Sequence, residues 1–119
     1  VAETALDNSP IKRVITVGLD GTPTSAIDQK STVATRSNVA SSASSVTVLA
    51  ANTARIGCTI YNDSTAILYL ALGATTASVT NYTVQIAANA YYEVPFNTTM
   101  ALSGIWAAAN GFARVTELT

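Results

Sequence analysis

The chain has 119 residues, with six lysines and arginines, seven aspartates and glutamates, and no histidine. That length points to one domain, the near-zero net charge excludes the basic footprint of a nucleic-acid-binding protein, and the missing histidine removes the commonest general base. Charged residues make up 11% of the chain against about 25% in an ordinary soluble domain, so the surface must be built largely from Ser, Thr, Asn, Ala and backbone, with little repulsion between neighbouring copies.

The charges gather at the start. Glu3, Asp7, Lys12, Arg13, Asp20, Asp28, Lys30 and Arg36 fall in the first 36 residues, leaving Arg55, Asp63, Glu93, Arg114 and Glu117 for the rest. The opening stretch VAETALDNSP is polar, nothing in it resembles an export signal, and no apolar run approaches the length of about 18 to 20 residues that spans a bilayer. Asp20-Gly21 is a tight-turn signature that would pair residues 13–19 with 22–27. An arm that finds its strand partners on another subunit is the equal alternative. Residues 34–45, ATRSNVASSASS, have neither periodicity nor a defined turn and read as a flexible joint. The expected division is therefore an extended or hairpin-containing arm over residues 1–40 and a β body over 41–119.

From residue 45 the pattern is strand after strand: 45–50, 54–62, 66–73, 81–88, 90–96, 99–107 and 111–118, joined by short Asn-, Gly- and Thr-bearing connectors. Short β-branched and aromatic segments at this spacing, without a helical period, predict an all-β fold, an antiparallel β-sandwich or barrel of jelly-roll-like form. Alternation places Ile56, Cys58 and Ile60 on one inward face, with Leu68, Leu70 and Leu72, then Val84 and Ile86, then Tyr92, Val94 and Phe96 on the others. Tyr61, Tyr69, Tyr82 and Tyr91 take the opposite faces, to be covered by a second layer or by a neighbour. Pro95 cannot donate to a ladder, so its strand ends at Val94 or lies at a sheet margin, and the following segment crosses to the other sheet. Cys58, the single cysteine, reads as a buried inert thiol.

The segments IYNDST, LYLALGA, NYTVQIAANAYYEVPF and SGIWAAANGFARVTEL, within residues 54–118, resemble a small β domain of virion structural proteins of tailed bacteriophages. The resemblance implies a non-enzymatic structural protein of the particle. One such role is a capsid decoration or cement protein on the outer shell, binding the major capsid protein through many weak contacts and assembling with itself as a homotrimer or other homo-oligomer. A tail, neck or head-fibre component fits the same resemblance. In this reading Lys12, Arg13, Asp20, Asp28, Lys30 and Arg36 make polar contacts to the shell, and Tyr61, Tyr69, Tyr82 and Tyr91 meet sister subunits. Neither nucleic acid nor membrane is an expected partner.

Other signals are weaker. Asn62, Asn81 and Asn97 match the glycosylation acceptor pattern, which chance supplies in a chain this rich in Asn, Ser and Thr. No two carboxylates stand at metal-ligand spacing, and no serine has a base or a nucleophile elbow, so neither a cofactor, a metal nor a catalytic residue is expected. A carbohydrate-binding adhesive sandwich is a further alternative, resting on surface tyrosines and on Trp106, whose default place is nonetheless the core. Arg55 and Arg114 are expected to pair with Glu93 or Glu117 across the sheet.

Overall fold

The computed structural model describes residues 29–119, which form eight antiparallel strands and no helix. They are β1 (Ala34–Ala40), β2 (Val46–Leu49), β3 (Gly57–Asp63), β4 (Leu68–Leu72), β5 (Val84–Ile86), β6 (Tyr91–Val94), β7 (Leu102–Trp106) and β8 (Phe112–Leu118). One sheet, here sheet A, has the order β1-β8-β3-β6, and sheet B has the order β2-β7-β4-β5. The chain changes sheet at every connection except β4 to β5, so strands distant in sequence lie side by side. This nesting of the first described strand beside the last is the eight-stranded jelly roll.

Between the sheets lies one apolar core. Ile60, Leu68, Leu70, Leu102 and Ala113 are completely buried, and Val48, Cys58, Ile86, Val94, Trp106 and Val115 nearly so. The predicted alternation holds for Cys58 and Ile60, for Leu68 and Leu70, and for Ile86 and Val94, because a pleated strand sends every second side chain inward. Glycine lets the layers close: a Cβ at Gly104 would stand 2.9 Å from Leu68 Cδ1 and 3.0 Å from Val48 Cγ2. At Gly111 the approach is tighter still, with an added Cβ only 2.3 Å from the Asp63 carbonyl oxygen.

Seven strands lie where the sequence predicts them; β1 does not. Residues 34–40, expected as part of a joint, pair residue by residue with β8 from Ala34↔Leu118 to Ala40↔Phe112. Bonds of Thr32 and Val33 to the Thr119 carbonyl extend the ladder. The body therefore includes β1, and the expected boundary near residue 40 is too late. The cause of the miss is physical. Strand β1 is a sheet edge whose residues are exposed on both faces except for the half-buried Val39, since the four-residue β2 is too short to cover it. A strand with no buried face carries no alternation to read.

Phe96 also departs from expectation. Pro95 ends β6 at Val94, as predicted, and β6 is an edge of sheet A. Beyond it Asn97 takes a left-handed turn at φ 61°, and the Phe96 ring is 66% exposed rather than in the core. The predicted hairpin at Asp20-Gly21, and Lys12, Arg13, Asp20 and Asp28, lie outside the described residues.

Candidate functional site

Two buried polar hubs fix the loops around the sandwich. Arg55, just before β3, is 2% exposed. Its Nε donates to Glu117 Oε2 at 2.7 Å, its Nη1 to the carbonyls of Thr98 (3.1 Å) and Met100 (2.9 Å), and its Nη2 to the carbonyl of Ala50. Asn52 Nδ2 adds a bond to the same Glu117 oxygen at 3.2 Å. A guanidinium stays charged and has a rigid fan of donors, so it can be buried only when those donors are taken. Here they tie the β2–β3 and β6–β7 connections to the end of β8.

The second hub is Asn62, fully buried in β3. Its amide nitrogen donates to the carbonyls of Ala66 and Ile86, both at 2.8 Å, and Ala87 at 3.2 Å. Its Oδ1 accepts from Ser64 Oγ at 2.8 Å and from Trp106 Nε1 at 3.1 Å. The indole of Trp106 is thus a core group with its only donor satisfied, and buried Asn62 is closed to glycosylation.

The four candidate tyrosines divide between the two outer faces. On sheet B, Tyr69 and Tyr82 are half-buried and packed on each other, ring centroids 5.0 Å apart, and Gln85 Nε2 donates to the Tyr82 hydroxyl at 2.6 Å. The connection from Gly73 to Thr83 folds over this face. Its Ala77 is buried and donates its N–H to Ser103 Oγ at 2.8 Å, and beneath it the outward-pointing Ala71 and Ser103 are buried as well.

Sheet A has no such cover among the described residues. Reading across β1, β8, β3 and β6, the ladder registers set out rows of outward residues: Asn38, Arg114, Tyr61, Tyr91, and next to it Arg36, Thr116, Thr59, Glu93. Tyr91 is 60% exposed, Phe112 41% and Tyr61 39%. Arg114 lies 4.7 Å from the centre of the Phe112 ring and pairs with Asp63 at 2.7 Å. The expectation of Glu93 or Glu117 as its partner is corrected: Glu117 points inward to Arg55, and Glu93 lies two strands away on β6. The Glu93 carboxylate instead accepts a bond from Tyr91 Oη at 3.3 Å and holds the phenol above its ordinary pKa by its negative charge. A groove of about 360 Å³ closes one end of the face, floored by Gly57 and walled by Thr59, Glu93, Pro95, Phe96 and Leu118.

Arg36 and Lys30 are exposed on β1 and just before it. Exposed Phe96 and Phe112 are additions that the sequence reading missed. Phe112 shares the outward parity of Arg114 one step along β8, a signal that placing β8 against Tyr61 would have exposed. Burial pushes the Cys58 thiol up to about 11, against the pull of nearby Arg55, so the thiolate needed for reactivity is scarce. Among the described residues no three His, Cys, Asp or Glu side chains gather as a metal site. No protein-family profile, curated protein or solved structure matches this chain.

Proposed function

We propose that this chain is a non-enzymatic structural protein of a tailed-phage particle. Its role is that of a decoration or cement protein that binds the major capsid protein on the outer shell and associates with itself. The observation that carries the reading is the outer face of sheet A. Tyr61, Tyr91 and Phe112 are exposed there beside the Arg114–Asp63 pair, with Arg36 and Glu93 at the two margins, an aromatic and arginine centre with a charged rim, as interfaces have. The resemblance of residues 54–118 to virion β domains supports the same reading, and a jelly roll is a fold that capsid proteins use, though a fold alone carries no function. Many weak contacts on a repeating lattice would supply the affinity.

A tail, neck or head-fibre position is the second reading, favoured by the same resemblance. The carbohydrate reading is left with Tyr61 and Tyr91 alone, because Trp106 is buried. Adding the purified full chain to particles that lack it, and counting bound copies by mass spectrometry, tests the proposal. Hundreds of copies per particle support shell decoration, a few dozen or fewer move the protein to the tail or neck, and no binding overturns the virion role. Deleting residues 1–28 is expected to leave the body folded and abolish shell binding; a truncated chain that still decorates fully would show that this segment is not the anchor. The deletion must stop there, since removing residues up to Arg36 would cut into β1.

A further inference from the structure

We infer that the outer face of sheet A pairs with the same face of a second copy about a two-fold axis running parallel to the strands. The inference rests on the reading of this face as an assembly surface and names its occupant. Arg36 on β1 and Glu93 on β6 are the outermost members of one row, and neither has an ion-pair partner among the described residues. Three strand spacings separate them, about 14 Å, too far for them to meet within one chain.

A two-fold axis along the strands, between β8 and β3, lays β1 of one copy over β6 of the other without changing the row. Arg36 then faces Glu93 of the second copy, and the reverse pair forms by symmetry. In the next row Arg114 faces Tyr61 and Asn38 faces Tyr91, a guanidinium over an aromatic ring and an amide beside a phenol. In the end row Leu118 faces Gly57, the floor of the groove. A two-fold axis across the strands would instead set Arg36 against Asn38 and Glu93 against Tyr91, leaving both charges unpaired. Packed sheets lie about 10 Å apart with nearly aligned strands, a gap that the long Arg36 and Glu93 side chains bridge from the two margins. The face is small, so the pair is weak alone and gains from lattice multivalency.

Charge reversal tests this with the full chain. Arg36→Glu and Glu93→Arg both alter exposed side chains, and far-ultraviolet circular dichroism checks that each variant folds. Each alone puts two like-charge contacts in its own pair and should weaken self-association about tenfold or more by analytical ultracentrifugation. Mixing the two variants rebuilds both ion pairs, so the mixture should recover a dimer that neither forms alone. A wild-type chain that stays monomeric when concentrated, variants that associate like wild type, or a mixture no heavier than its components would overturn the pairing. The virion reading fails separately: a monomer that still coats particles removes only the pairing, and a charge-dependent dimer that ignores particles keeps it.

Discussion

The two outer faces of this sandwich start from the same material and end in opposite states. Each carries two of the candidate tyrosines. On sheet B, Tyr69 is half-covered by Tyr82 of the β4–β5 connection, which also buries Ala71, Ala77 and Ser103. On sheet A, Tyr61 and Tyr91 stand open beside Phe112. The difference is topological rather than chemical. Among the described strands the β4–β5 connection is the only one joining neighbours of one sheet, and it is long enough to fold back over sheet B, whereas the described connections of sheet A all leave for the other layer. A tyrosine stripe in a sequence therefore marks a face to be covered without saying what covers it.

The contrast can be broken or sharpened by substitution. The largest effect should come from the scaffold beneath both faces. Asn62→Leu strands the Trp106 N–H in the core and takes the amide donor from the buried Ile86 carbonyl, and thermal or urea unfolding should show a loss of about 3–5 kcal/mol. A loss under about 1 kcal/mol would mean that the hub is not what holds the β5–β6 turn.

Next come the tyrosines themselves. Tyr69→Ser with Tyr82→Ser removes a packed aromatic pair and should cost about 2–3 kcal/mol in unfolding free energy. Tyr61→Ser with Tyr91→Ser should cost less than about 0.5 kcal/mol, as exposed substitutions do, while abolishing self-association. Equal costs for the two pairs would erase the distinction between the faces.

A smaller and pH-dependent effect belongs to Cys58 beneath sheet A. Its folded-state pKa lies above the value of 9.0 expected in the unfolded chain, so the folded state binds the thiol proton more tightly. The associated stability is fully present below pH 9.0 and is lost as pH rises toward about 11. Compared with Cys58→Ala, the wild type should lose about 2 kcal/mol more over that window in urea unfolding. Parallel pH profiles would show that the thiol is not held protonated by the fold. The smallest effect should be at Gly57, where an added Cβ meets only ordinary contacts of 3.6 Å or more: Gly57→Ala should leave the melting temperature nearly unchanged, whereas Gly111→Ala, which drives a methyl into the Asp63 carbonyl, should lower it clearly.

Most of the fold was legible in the sequence because buried strands announce themselves. Leu68 and Leu70, Cys58 and Ile60, and Ile86 alternate with outward residues, and the turns carry Asn89, Asn97 and Gly73, all with positive φ. Strand β1 was illegible because its stability comes from backbone bonds to β8 and not from a buried face. The candidate site was legible only by residue type. Outward parity identified Tyr61 and Tyr91, but the covering of Tyr69 and Tyr82 depends on where a long loop lands. The rows that join Arg36 to Glu93 depend on the jelly-roll strand order, which no local pattern encodes. Arg55 shows the same limit, since Glu117 was a foreseeable partner while two of its three carbonyl acceptors, Thr98 and Met100, come from a connection far away in sequence.

The most direct test of the open face is hydroxyl-radical footprinting of the full chain, read by mass spectrometry in dilute solution, in concentrated solution and on the particle. Tyr61, Tyr91 and Phe112 should lose reactivity on assembly while Tyr69 and Tyr82 keep the same low level throughout. Unchanged labelling of Tyr61 and Tyr91 in the assembled state would contradict the account.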